Sequence, residues 1–274
     1  MKEVKDNVLL ALLNEFAGLK QVDAIAIAGS HGTQMNDSLS DYDIYVYVND
    51  TIPVEVRQQI TSHHCCEMEV NNQYWETEDD GRLNSGTEVE LIYRSIDWLD
   101  KELERVLFKH QPNVGYSTCF WSNLLSSKVI FDRDSTLMRL QDKYTVDYSR
   151  ELAAAVIAKN LPLLCDAAPA YPQQIIKAIK RQDYLSVQHR LTAYLDSYFD
   201  ILFAANLIPH PGEKRLVEVA VKLCSSLPAD FEQTMENLLF LAGTRSYELP
   251  LALNIATENL KAVVEKSGIN YQVC

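Results

Sequence analysis

A chain of 274 residues, 47% of them hydrophobic, can bury a real core and is long enough for two domains of ordinary size. Lys and Arg number 25 against 38 Asp and Glu, a net charge of −13, and no basic cluster interrupts that balance, so a grip on long nucleic acid is not expected. No apolar run approaches the ~20 residues of a membrane span. The N-terminus, MKEVKDNVLLALLNEF, lacks a secretory pattern. Six cysteines without paired spacing, Cys65-Cys66 and Cys274 among them, point to reduced thiols, and a cytoplasmic location is expected.

Residues 3–17 carry Val4, Val8, Leu9, Leu12, Leu13 and Phe16 at helical spacing, with Gly18 as a stop. An apolar run, Ala24–Ala28, predicts a buried strand that ends in Gly29-Ser30. Ten polar loop residues follow, and Asp41-Tyr42-Asp43 opens a second apolar run, Ile44–Val48. Pro53–Ser62 reads as a helix with Pro in its first turn. His63-His64-Cys65-Cys66 is read as a helix-to-strand connection rather than a metal site. Four adjacent side chains cannot all face one ion, and zinc ligands are usually spaced in pairs around a turn. Glu67–Glu76 predicts a strand, Glu78-Asp79-Asp80-Gly81 a solvated turn, and Thr87–Tyr93 a third clear strand. Ser95 caps a predicted helix over Ile96–Lys109, Lys128–Phe131 predicts a short strand, and Asp132-Arg133-Asp134 a turn.

From about Asp147 the strand-like runs disappear. Helical windows follow one another over Tyr148–Leu161, Pro172–Arg181, Tyr184–Ala205, Gly212–Ser225, Ala229–Ala242 and Pro250–Lys266, punctuated by prolines. The predicted fold class is α+β: residues 1–146 form a mixed β-sheet flanked by helices, and residues 147–274 form an all-helical domain.

The chemistry gathers around the two apolar strands. Asp41 and Asp43 stand two apart on one strand, so their carboxylates leave the same face. Paired anionic oxygens a few ångströms apart suit a hard divalent cation, Mg²⁺ above all, shared with substrate phosphates. Gly29 lets backbone come close to a ligand, and Ser30 offers a hydroxyl and the free N–H groups of a helical turn to phosphate. This order of parts, Gly-Ser, a ten-residue loop, then Asp-x-Asp between hydrophobic strands, resembles the nucleotidyltransferase superfamily of the polymerase-beta type, which includes the aminoglycoside and lincosamide nucleotidyltransferases. The motif covers residues 24–48.

The resemblance implies a catalytic nucleotidyltransferase domain followed by a helical substrate-binding domain, with Mg²⁺ as metal and a nucleoside triphosphate, ATP, as co-substrate. It also implies a third carboxylate on a neighbouring strand. TEVELIYRS offers Glu88 and Glu90 on one strand face. Glu90 is favoured, because an ionised group between Val89 and Leu91 needs a partner or a metal; Glu88 stays as the alternative. The expected catalytic and metal-binding set is Asp41, Asp43 and Glu90. Gly29 and Ser30 are expected at the triphosphate, with Lys214 at the start of the helix that follows Pro211-Gly212. Tyr194, Asp196, Tyr198 and Asp200 are left open between acceptor contacts and ordinary core or surface positions. The expected reaction transfers a nucleotidyl group to a hydroxyl of a small, antibiotic-like acceptor and releases pyrophosphate. The net charge of −13 speaks against the branch that extends tRNA or mRNA. Two alternatives stay open: a regulatory nucleotide-binding module without turnover, and adenylylation of a protein partner. The identity of the acceptor and the oligomeric state are not read from the sequence.

Overall fold

A computed structural model describes residues 4–29 and 41–272. It divides into two compact units, one built from Met1–Leu103 and Asn123–Val146, the other from Glu104–Ser122 and Asp147–Cys274. No helix among the described residues is long and apolar enough to cross a membrane.

The first unit is a mixed sheet with helices. Helix α1 (Asn7–Ala17) starts where the Asp6 carboxylate accepts the backbone N–H groups of Val8 and Leu9, at 2.8 and 3.2 Å. The strands are β1 (Val22–Ile27), β2 (Tyr42–Val48), β3 (Cys65–Asn72), β4 (Glu78–Leu83), β5 (Glu88–Arg94) and β6 (Lys128–Asp132), in the spatial order β3-β4-β5-β2-β1-β6. β2 and β5 pair in parallel, and the other pairs are antiparallel. Alternation along each strand then sorts the side chains. Ile44 and Val46 of β2 and Val89 and Leu91 of β5 join Leu9, Leu12, Leu13 and Phe16 of α1 and Ile60 of helix α2 (Val54–His64) in one core. The residues between them, Asp43, Tyr45 and Tyr47 on β2 and Glu90, Ile92 and Arg94 on β5, take the opposite face.

One segment departs from its predicted form. Glu78-Asp79-Asp80-Gly81, expected as a solvated turn, is the body of β4, between β3 and β5. Its core-facing residue is an aspartate, which hides the strand from a hydrophobicity pattern. Asp79 is fully buried because the buried Arg57 of α2 reaches its Oδ1 at 2.6 Å. The Tyr93 hydroxyl donates to its Oδ2 at 2.6 Å and the Asn71 N–H to Oδ1 at 2.7 Å. The Arg57 guanidinium also lies over the Tyr93 ring, 4.7 Å from its centroid. Both carboxylate oxygens of Asp79 and both terminal nitrogens of Arg57, the second of them donating to Asn71 Oδ1 at 2.9 Å, are hydrogen-bonded, the condition under which a buried ion pair is tolerated.

In the second unit the long helices fall on the predicted windows: α6 (Arg150–Leu164), α7 (Tyr171–Lys180), α8 (Tyr184–Ala205), α10 (Phe231–Gly243) and α11 (Leu249–Ser267). Helix α3 (Ile96–Leu107) matches the helix expected over Ile96–Lys109, whereas α4 (Cys119–Ser126) and α5 (Thr136–Tyr144) carry no expected helix; α3 and α4 cross the borders between the units, and α5 belongs to the first. Helix α9 (Leu216–Leu223) starts later than expected. Gly212 and Arg215 both have positive φ, at 105° and 55°, and that backbone cannot be helical until Leu216. Lys214 therefore lies exposed in the turn before α9 and not in its first turn.

Residues 104–122, which a single cut at residue 146 assigns to the first domain, group with the helical unit for a visible reason. The buried Asp200 of α8 accepts the Ser117 N–H at 3.0 Å, the Ser117 hydroxyl at 2.6 Å and Asn160 Nδ2 at 3.1 Å. Asn160 Oδ1 in turn accepts the Gly115 N–H at 3.0 Å, and the Tyr116 hydroxyl donates to Asp196 at 2.9 Å. Tyr194, Tyr198 and Asp200 are thus interior residues.

Burial pushes the Asp200 carboxyl up to about 7, against the opposing pull of its hydrogen bonds. A native carboxyl that holds its proton more tightly than the unfolded chain does contributes stability below the unfolded pKa of about 4, and that contribution is lost as pH rises toward 7. Asp200→Asn is expected to flatten the fall in stability across this interval. Thermal midpoints of both proteins measured between pH 4 and 8 check it (window set by the same two values); parallel curves would refute the assignment.

Candidate active site

Asp41 immediately precedes β2, Asp43 lies within it, and Glu90 is the third residue of β5. The parallel register sets Asp43 directly beside Glu90. Carboxylate oxygens of Asp41, Asp43 and Glu90 all lie within 4.8 Å of one another, and all three residues are half-buried. Glu88 is exposed and ion-paired with Arg82 at 2.9 Å. Of the expected set, the structure therefore brings Asp41, Asp43 and Glu90 together. Ser30 lies outside the described residues, and Lys214 belongs to the second unit.

The antiparallel neighbours extend this arrangement. Asp80 of β4 stands opposite Glu90, and Glu69 of β3 stands opposite Asp80. A row of four carboxylates, Glu69, Asp80, Glu90 and Asp43, thus crosses four adjacent strands. Glu78, one position along on the same face of β4, forms a second close group with Asp80 and Glu90, again with oxygens within 4.8 Å. Glu90 belongs to both groups. The cleft over them has a volume of about 440 Å³ and is lined by Asp41, Glu67, Glu69, Asp80, Glu88 and Glu90, with Arg82 as its cationic member.

The electrostatic consequence is direct. Burial first, then the charges of Asp43, Asp80 and Glu78, push the Glu90 carboxyl up to about 8. Glu78 and Asp80 are also raised, each chiefly by burial. Carboxylates this close compete for protons unless a cation neutralises them. An all-oxygen donor set of this kind fits a hard divalent ion such as Mg²⁺, held by Asp41, Asp43 and Glu90.

Gly29 lies against Asp43. Its φ is +58°, and a Cβ built on it would stand 1.6 Å from Asp43 Oδ2. The Ala28 N–H donates to the Asp43 carbonyl at 2.9 Å. The space that glycine leaves open is occupied by the Asp43 carboxylate, so Gly29 permits the position that carboxylate takes.

Glu78, Asp80 and Glu69 join this face without belonging to the expected set. The signal was present as acids at every second position, Glu67 and Glu69, then Glu76, Glu78 and Asp80, but the Asp-Asp-Gly composition read as a turn.

No family model matches the chain, and no curated protein matches it. Among solved structures the chain is similar to a nucleotidyltransferase-like protein from Exiguobacterium sibiricum 255-15, with a TM-score of 0.45 and 16% identity, over 94% of this chain and 74% of that one. It is also similar to an aminoglycoside 6-adenyltransferase from Bacillus subtilis, with a TM-score of 0.31 and 11% identity, over 98% of this chain and 94% of that one.

Gly29→Ala must displace the Asp43 carboxylate from its position. Divalent-cation affinity is expected to fall roughly 10- to 100-fold, the usual result of disturbing the support of a metal ligand. Mn²⁺ titration followed by electron paramagnetic resonance checks this, with circular dichroism as the control for folding. Unchanged affinity in a folded variant would show that Asp43 is not seated by Gly29.

Proposed function

We propose that this chain is a Mg²⁺-dependent nucleotidyltransferase that moves a nucleotidyl group from ATP to a hydroxyl of a small-molecule acceptor and releases pyrophosphate. The observation that carries the reading is the convergence of Asp41, Asp43 and Glu90 from two parallel strands, with their oxygens within 4.8 Å. Mg²⁺ bound there supplies positive charge at the α-phosphoryl group and lowers the pKa of the acceptor hydroxyl. The acceptor oxygen bonds to the α-phosphorus as the bond to the bridging oxygen breaks, and the hydroxyl proton passes to a carboxylate of the cleft. Gly29 keeps Asp43 in place. Ser30 binds the β- and γ-phosphates and stabilises the departing pyrophosphate, so the protein contributes mainly positioning and charge.

The remaining acids of the cleft, Glu67, Glu69, Asp80 and Glu88, favour a cationic acceptor. The same charge argues against a nucleic-acid acceptor.

Asp41→Asn and Asp43→Asn are each expected to abolish Mg²⁺-dependent pyrophosphate release from ATP in the presence of amine-bearing polyol acceptors, without loss of the fold. Release that continues undiminished in both folded variants would refute the reading.

A further inference from the structure

The His63-His64 pair plays no part in the acidic cleft. Helix α2 ends at His64 and β3 begins at Cys65, and this change of backbone separates the histidines from the cysteines that follow. Cys65 packs against the core beneath the sheet. Cys66 Sγ turns toward the carbonyls of Arg82 and Leu83, at 3.5 and 3.6 Å.

The histidines instead meet a residue far away in sequence. Glu15, near the end of α1, places Oε1 2.7 Å from His64 Nε2 and Oε2 3.5 Å from His63 Nδ1. One donor atom from each of the three residues lies within 4.8 Å of the others. The backbone of the pair is also fixed: the Asn84 N–H donates to the His64 carbonyl at 2.8 Å, and Asn84 Nδ2 donates to the His63 carbonyl at 3.3 Å. Three segments, α1, the end of α2 and the turn after β4, hold the cluster in place. Glu15 and His63 are exposed and His64 is largely covered, so solvent reaches one side only.

Two imidazoles and a carboxylate form a donor set that suits zinc and poorly suits Mg²⁺, which prefers oxygen and keeps its waters. Donors at 2.0–2.1 Å from a tetrahedral zinc stand about 3.4 Å apart. The Glu15 oxygens stand 2.7 and 3.5 Å from the two imidazole nitrogens, and one donor atom of each residue lies within 4.8 Å of the others, a spacing of the order such an ion spans. We propose that Glu15, His63 and His64 form a transition-metal site of the zinc class, with water in the fourth position, which ties α1 to α2. The four adjacent residues His63–Cys66 cannot themselves surround an ion; the third protein ligand comes from α1.

The site does not depend on the function proposed for the cleft, and its test reads no catalysis. Zn²⁺ is titrated into the whole chain in excess Mg²⁺ under reducing conditions, and the side-chain ¹⁵N signals of its six histidines are followed by NMR. The His63 and His64 signals are expected to respond together, saturating with one equivalent of Zn²⁺. His63→Ala and Glu15→Gln, both surface changes, are each expected to weaken this binding at least about tenfold. His189→Ala is expected to leave it unchanged. If His63 and His64 fail to respond to Zn²⁺, or if they respond with equal affinity in wild type and in Glu15→Gln, the site is refuted and the cluster is an acid–imidazole hydrogen-bond pair only.

Discussion

Strand register sets like charges side by side in this protein. Glu69, Asp80, Glu90 and Asp43 occupy matching positions on β3, β4, β5 and β2, and neighbouring strands are about 4.8 Å apart. Two unit charges at that distance repel by about 3 kcal/mol at an effective dielectric of ~20. Such a row persists only if something else fixes the register and if protons or cations relieve the charge. The fixing comes from the other face. Ile44, Val46, Val89 and Leu91 are locked against α1 and α2, and a slip of one residue would exchange these apolar side chains for Asp43 and Glu90. The core and the carboxylate row are two faces of one register.

Asp79 and Asp80 show how the molecule treats two adjacent carboxylates differently. Asp79 faces the core and is given a permanent cation, Arg57, with the Tyr93 hydroxyl and the Asn71 N–H completing its shell. Asp80 faces the cleft, where Asn72 Nδ2 donates to it at 2.9 Å and its strand neighbours, Glu69 and Glu90, are acids. The first arrangement is closed and structural. The second keeps its negative charge available at an open surface, as a cation-binding face requires. Arg94 makes the same point at the edge of this face: it pairs with Glu76 and lies 4.1 Å from the Tyr45 ring centroid, so this cation is engaged locally rather than neutralising Glu90.

The sequence revealed those parts of the fold that have a hydrophobic period. β1, β2 and β5 are runs of apolar residues, and the long helices of the second unit repeat every three to four residues. Glu90 was separable from Glu88 because a charge between Val89 and Leu91 demands compensation, whereas a charge at the strand start does not; the structure sets Glu90 beside Asp43 and Glu88 against Arg82. β4 was hidden because its inward residue, Asp79, is polar and needs Arg57 from another element to be buried. The membership of residues 104–122 was hidden because it rests on Asp200 and Asn160, whose hydrogen bonds span more than forty positions. The late start of α9 depends on a left-handed Arg215, which no side-chain pattern announces.

The two candidate cation sites of the first unit divide along the chemistry of their donors. The cleft offers oxygens only, from carboxylates placed by the sheet, and such a set discriminates poorly among divalent ions except by hardness and size. The cluster of Glu15, His63 and His64 offers nitrogen and belongs to α1 and α2, the helices that pack on the core face. Imidazole suits zinc, copper, iron and nickel, whereas carboxylate-only sets suit magnesium, calcium and manganese. An imidazole-bearing cluster and an all-carboxylate cleft on the same unit therefore differ in the ions their donors suit. The imidazole-bearing cluster lies at the junction of α1, α2 and the turn holding Asn84, among elements that pack on the core face of the sheet, opposite the carboxylate row.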